Sequence, residues 1–335
     1  MLNAGSRNAG FSIIELLVAL GAMAVVIVMA LGAFTYQHQT YLVVEQVSEA
    51  QQNSRAIVSL VERDLRNAGY MVSPEAAVCG VDNTGSADLL FVSDADAILP
   101  VDDLPSTMAG TDLGSSVSST VGSVNAANQI TFTLDDVVID DDASYDVDDN
   151  GSRDSDFQVG GGAILVDLAN PGQGVACGIV DAVTPTTSVQ VTFKSGLSNV
   201  SPNPSDFRLI PAHFYQVITG VGVPNHLERD GEILAKDVED FQLAWFYDDD
   251  GNGQSGGNEV RGVVGTAYDT TLVDGNDLRE VRVNLVMSTR ADDPRSDVAG
   301  TGQILENRTQ GSVNGDDGRR RRVSTSTVRI RNLSL

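Results

Sequence analysis

Apolar residues fill the chain from residue 11 to residue 34, with one charged interruption, Glu15. The run reads FSIIELLVALGAMAVVIVMALGAF. It is long enough to cross a bilayer as a helix, since a hydrocarbon core of about 30 Å takes about 20 apolar residues. Beyond it the pattern thins to a stripe. Val43, Val47, Ala50, Ser54, Ile57, Val61 and Ala68 fall close to a 4-3 spacing, apolar but for one polar gap, with Gln, Glu, Arg and Ser between them. No proline interrupts residues 11–73. Gly69 then offers a C-cap, Arg66 lies in the last turn and Pro74 stands beyond. The pattern predicts one helix from Phe11 to about Ala68, about 87 Å long at 1.5 Å per residue. It is lipid-like over 11–34 and amphipathic over 35–69. The amphipathic half needs a partner surface, most simply the rest of the chain.

From about residue 75 the period changes. β-rich runs occupy 88–93, 129–134, 163–168, 175–183, 188–193, 207–219, 241–247, 278–288 and 323–330, separated by Gly, Ser, Pro and Asp. Residues 278–288 alternate clearly, with Val281, Val283, Leu285 and Met287 on one face and Arg282 and Asn284 on the other. The Ser/Gly-rich stretch 106–128 reads as a loop. The expected fold is α+β: a long helix packed on an antiparallel β-rich domain over 70–335.

Charge and cysteine content narrow the setting. Asp and Glu number 46 against 21 Lys and Arg, giving a net charge of −25. Lys194 and Lys236 are the only lysines. Such a surface repels nucleic-acid phosphates, whose binding rests on Lys and Arg displacing counterions, and it attracts divalent cations. No nucleic-acid partner is expected. Cys79 and Cys177 are the two cysteines. Outside the cytoplasm they are free to form a disulfide, and closing a loop of about 100 residues is worth about 4–5 kcal/mol in the chain-entropy model. Two separate buried thiols are the alternative. No Cys/His zinc spacing occurs.

The start of the chain carries the most specific signal. A carboxylate inside an apolar span costs about 2.5–3.5 kcal/mol on insertion scales and marks function. The polar leader MLNAGSRNAG, with Arg7 as its only charge, ends in Gly10; Phe11 follows, and Glu15 lies four residues further on. A secretory signal peptide would have a more basic start, a shorter apolar core and a small-residue cleavage site after that core. The arrangement here resembles the type IV prepilin signal. That resemblance implies cleavage between Gly10 and Phe11 by a prepilin peptidase and methylation of the new Phe11 amine. It also implies, in a filament, pairing of Glu15 with the amino terminus of a neighbouring subunit. Without such a partner, a Glu four residues from the mature start is protonated or snorkels to the interface.

Later segments refine the resemblance. Asp64-Leu65-Arg66-Asn67-Ala68-Gly69-Tyr70 ends the helix, with Cys79 soon after. Leu234-Ala235-Lys236-Asp237-Val238-Glu239-Asp240-Phe241-Gln242-Leu243 precedes an Asp/Gly loop. Val281-Arg282-Val283-Asn284-Leu285-Val286 forms a late strand, and Arg321-Arg322-Val323 through Val328-Arg329-Ile330-Arg331-Asn332 closes the chain. Together they resemble the PilW family of minor pilins and, more distantly, the J-type pseudopilins of type II secretion. Many major pilins have Pro near the end of the membrane stretch, where this chain has Gly32.

Two loops carry ligand chemistry. In 248–259, Asp248, Asp250, Asn252, Gly253 and Glu259 match the fixed positions of an EF-hand loop, with Gln254 offering its backbone carbonyl. Ca²⁺ takes 6–8 hard oxygens, which alternate acids and a late bidentate Glu supply. The flanks read as strand, so the loop is EF-like in a β setting; a solvated acidic turn is the alternative. A weaker second candidate comprises Asp146, Asp148, Asn150, Ser152 and Asp154, where position twelve is Phe157 and the bidentate acid is missing. Ten Asp crowd 135–156, so a counter-ion would relieve their repulsion. Gly251, Gly253 and Gly256 also match G-x-G-x-x-G, but no helix follows and the acids repel a pyrophosphate. Gly253 to Gly257 match G-x-S-x-G without the strand–turn–helix or a linked histidine. His213 and His226 read as structural or surface residues, and the Arg run 319–322 as a turn before the last strand, paired with Asp316, Asp317 or the acidic loops; docking to an acidic neighbour or to DNA is the alternative.

The resemblance implies a minor pilin without enzymatic activity. It would wait in the inner membrane as a single-pass protein with its β-domain in the periplasm. It would then join other minor and major pilins through its N-terminal helix, in an initiating or tip complex at the cell surface. A type II secretion pseudopilin and a membrane-anchored Ca²⁺-dependent adhesin are the alternatives.

Overall fold

The computed structural model describes residues 12–70, 72–83, 85–94, 97, 115–117, 128–133, 157–167, 174–184, 188–197, 207–220, 223–248, 250–252, 259–263, 277–291, 306 and 318–333. Helix α1 (Ile13–Asn67) is one unbroken element of 55 residues. Gly69 ends it at φ +77°, the left-handed region where a side chain is strained. Its N–H reaches the Ser93 carbonyl at 3.0 Å, tying the helix end to the β-domain. A short 3-10 turn, Pro74–Ala76, follows.

The chain divides into two compact units, one up to Glu49 and one from Ala50 onward. In the first, the helix exposes apolar side chains all round, among them Ile13, Leu17, Met23, Val28 and Phe34. By length and composition this helix can cross a membrane. In the second, Ala50, Ser54, Ile57, Val58, Val61, Asp64 and Leu65 are buried against the strands. The apolar stripe of the sequence is therefore the packed face, and Asp64 lies on it.

Among the described residues the strands form two sheets, antiparallel throughout. The larger contains β1 (Val78–Val81), β2 (Leu89–Val92), β3 (Ser115–Val117), β4 (Gln129–Thr133), β5 (Gly162–Asp167), β6 (Val175–Thr184), β7 (Ser188–Ser195), β8 (Phe207–Gly220), β9 (Val223–Arg229) and β10 (Glu232–Lys236). Its main path runs β1-β2-β8-β5-β6-β7-β4. The long strand β8 pairs with β5 and β3 through its first half and with β2 and β9 through its second. The smaller sheet, β12-β11-β13-β14, contains β11 (Val238–Tyr247), β12 (Val260–Arg261), β13 (Leu278–Ser288) and β14 (Arg321–Arg329). The α+β reading holds, and each of the nine runs lies on a strand. Strands β1, β9, β10 and β12 have no counterpart among the nine runs, and β3 lies inside 106–128, which the composition marks as loop.

Alternation along β5 builds two cores. Ile164 and Val166 face one that also holds Leu65 of α1, Phe91, Phe214, Phe241, Trp245 and Leu285. Ala163 and Leu165 face a smaller one with Phe132, Val189 and Phe193. On β13 the face bearing Asn284 and Val286 is buried as well, so its alternation is less polar in space than in sequence. Cys79 of β1 and Cys177 of β6 form a disulfide with Cα atoms 6.3 Å apart, so the alternative of separate thiols falls. Three strands lie between β1 and β6 in the sheet order, so this crosslink requires the sheet to curl back on itself.

A buried ionic group joins helix to sheet. Asp64 Oδ2 accepts the Tyr215 hydroxyl at 2.5 Å and pairs with Arg229 Nη2 at 2.9 Å, while Oδ1 pairs with Arg63 at 3.1 Å. Burial raises the Tyr215 pKa far above the usual phenol value and the charge of Asp64 adds to it, so the hydroxyl stays a donor. A buried acid needs such partners, because a lone buried charge costs several kcal/mol.

Candidate functional site

The first candidate is the start of α1. Gly10 and Phe11 lie outside the described residues. Glu15 occupies the first helical turn, where its Oε2 accepts the Ser12 N–H at 2.9 Å and its own N–H donates to Ser12 Oγ at 3.3 Å. This is a reciprocal capping box, which satisfies two of the amides that a helix start leaves without intrahelical partners. A carboxylate there also meets the positive end of the helix dipole. The signal was present in the sequence as Ser12-Ile13-Ile14-Glu15. Within one chain, then, Glu15 is held by its own helix start.

The second candidate is the acidic turn after β11. Asp248 is buried, Asp250 is exposed and Glu259 is half-buried; one carboxylate oxygen from each lies within 4.8 Å of the others. Gly251 at φ +68° makes the sharp turn, and its N–H reaches the Asp248 carbonyl at 3.2 Å. The Asp250 N–H donates to Glu259 Oε1 at 3.3 Å. Asp250 also accepts from Asn252, through the backbone N–H at 3.0 Å and the side-chain amide at 2.7 Å. Arg279 of β13 stands 3.3 Å from Asp248 Oδ2. The flanks are strands, β11 and β12 paired antiparallel, as the sequence indicated. Chemically the turn gathers hard oxygen donors, which suits a cation such as Ca²⁺. Coordination through the Asn252 side chain would require its amide, now donating to Asp250, to turn its oxygen inward. Gln254 lies outside the described residues. So does the second loop with Asp146, Asp148, Asn150, Ser152 and Asp154.

Other residues singled out in the sequence take structural places. Arg321 of the basic run binds Glu239, with Nε to Oε2 at 2.6 Å; Asp316 and Asp317 lie outside the described residues. His213 Nδ1 lies 2.7 Å from Asp230 Oδ2, and the other oxygen of Asp230 accepts the Phe214 N–H. A site the sequence did not reveal surrounds Asp88. Its two oxygens accept the Asn83 and Leu243 N–H groups at 2.8 and 2.7 Å, while burial pushes its pKa well above the usual carboxylate value. Its partner Leu243 lies 155 residues away, which no local pattern encodes.

No protein-family profile matches the chain, and no curated protein matches it. Among solved structures the chain is similar to a type IV-like pilin from Thermus thermophilus. The two share 12% identity at a TM-score of 0.29, over 87% of this chain and 97% of that one. At so low a TM-score the likeness supports no argument about function.

Proposed function

We propose that this chain is a minor pilin of the PilW kind, a non-catalytic subunit of a type IV pilus machine. One observation carries the reading. A single helix is apolar on all sides over its first half, bears an acid in its first turn, and runs on without a break to become the packed face of a β-domain. The first half suits a membrane and then a bundle of like helices; the second carries a folded head. The prepilin-like leader ending at Gly10 supplies the processing step: peptidase cleavage before Phe11, followed by N-methylation. Glu15 exchanges its own Ser12 amide for the amine of a neighbouring subunit when filaments form. The head lies in the periplasm before assembly and at the cell surface afterwards, where adhesion is open to it.

The experiment is Gly10→Ala in the native host. The variant is expected to keep its leader, with an intact mass higher by the ten leader residues, and to be missing from sheared surface filaments. Normal processing of Gly10→Ala would refute the assignment. Loss of enzyme secretion with pili intact in a deletion strain would move the protein to the type II pseudopilins.

A second reading concerns the acidic turn. Three carboxylates converging within 4.8 Å favour Ca²⁺ held by Asp248, Asp250 and Glu259, with Asn252 and Gln254 completing the set. Thermal unfolding of the full chain with and without Ca²⁺ tests it.

A further inference from the structure

The β9–β10 hairpin holds a histidine whose two ring nitrogens both face acceptors. His226 Nδ1 lies 2.9 Å from the Pro224 carbonyl oxygen, and Nε2 lies 2.9 Å from Glu228 Oε1. A carbonyl and an ionised carboxylate accept hydrogen bonds and donate none. A neutral imidazole has one N–H and satisfies one of them; an imidazolium satisfies both. The side chain is only 8% exposed, so water is poorly placed to replace a lost partner.

The neighbouring charges are few. On its own strand, Glu228 is tied onward to β8 by the Gln216 amide at 3.1 Å. From β10, Lys236 is the register partner of His226 and is exposed to solvent. From β8, the register partner is the apolar Ile218. Asp237, after β10, stands 3.9 Å from Arg290. Strand β11 also packs on β9; it carries Glu239, held by Arg321, and Asp240, which accepts the Phe241 N–H and the Gln242 amide. The Pro224 carbonyl first, and then Glu228, hold the His226 pKa above its ordinary value against burial and Lys236.

We propose that His226 is a pH-operated clasp on the β9–β10 hairpin. Protonated, it ties the start of β9 at Pro224 to Glu228 and, through Gln216, to β8. Deprotonated, it gives up one of the two bonds and sets two acceptors against each other. Strand β10 has only β9 as its sheet partner among the described residues and exposes Ile233 and Leu234, so loosening frees an apolar sheet edge. The sign follows from the raised pKa. The clasp is complete below the ordinary histidine value of about 6.5 and is lost as pH rises through the higher folded value. This inference stands apart from the pilin reading.

Hydrogen exchange on the full chain in detergent micelles at pH 6 and pH 9, corrected for intrinsic exchange rates, tests the clasp. Amides of 223–236 are expected to lose about tenfold in protection at pH 9 relative to those of β13. In His226→Gln that difference is expected to vanish. Equal protection at both pH values, or a drop that survives in His226→Gln, overturns the proposal. Should the variant fail to fold, nitrogen chemical shifts of the wild-type imidazole decide. Both nitrogens protonated at pH 6 and only one at pH 9 support the clasp, and a single proton already at pH 6 refutes it.

Discussion

A Cβ on Gly80 would stand 2.1 Å from Cζ2 of Trp245 and 2.7 Å from Cη2. Those atoms belong to a rigid, fully buried ring, so making room means moving the surrounding core. Gly80→Ala is therefore expected to cost about 1–3 kcal/mol as overpacking, seen as a lower unfolding midpoint. Trp245 is the only tryptophan, so its fluorescence reports the same event directly. Unchanged stability, or no recovery in Gly80→Ala combined with Trp245→Phe, would show that the ring does not cause the cost. Nothing in the sequence around Gly80 announces a partner 165 positions away. Ser54 was more legible: it is the polar gap in the helix stripe, and its hydroxyl bonds that of Ser324. Asp64 is buried on the same helix face. Its partners Tyr215 and Arg229 come from strands far along the chain and were not readable.

At the level of elements, α1 was legible because a sustained period and the absence of proline are local properties. Strands with several β-branched or aromatic residues were legible for the same reason. The β9–β10 hairpin was missed although Asp230-Gly231 is a strong two-residue turn signal; both residues take positive φ, +54° and +81°. Charged residues along both strands dilute the alternation that marks a hairpin. Strand β1 is buried at every position and so shows no alternation at all. The acidic turn after β11 was legible in its spacing, but its counter-charge Arg279 arrives from β13. That guanidinium contacts one oxygen of Asp248 and already offsets part of the turn's charge. At one hundred times its dissociation constant, Ca²⁺ is expected to stabilise the full chain by about 2.7 kcal/mol. Asp250→Ala should abolish the gain. An unfolding midpoint indifferent to Ca²⁺ would reduce the turn to a solvated surface loop.

Across the whole molecule, the unit from Ala50 onward depends on contacts distant in sequence. Strand β8 alone touches β2, β3, β5 and β9, and the main core takes residues from α1 and both sheets. Where the sheet curls back, Cys79 is bonded to Cys177. Replacing both cysteines by serine is expected to cost about 2–5 kcal/mol, most of it from the freed unfolded chain. Denaturant titration of the oxidised protein and the double variant measures it, and a difference under about 1 kcal/mol would contradict the assignment. The α-helical content of the segment before Ala50 should not change.

The same covalent link has a mechanical consequence. If α1 and the C-terminus are drawn apart, the covalent path for tension crosses directly from Cys79 to Cys177 and bypasses the chain between them. The cysteines lie 98 positions apart. At roughly 3.3–3.6 Å per residue, the chain is shortened by about 320–350 Å of extension it would otherwise give up under force. Strands β2 to β5 are thus held out of the stretched path for as long as the bond stays oxidised.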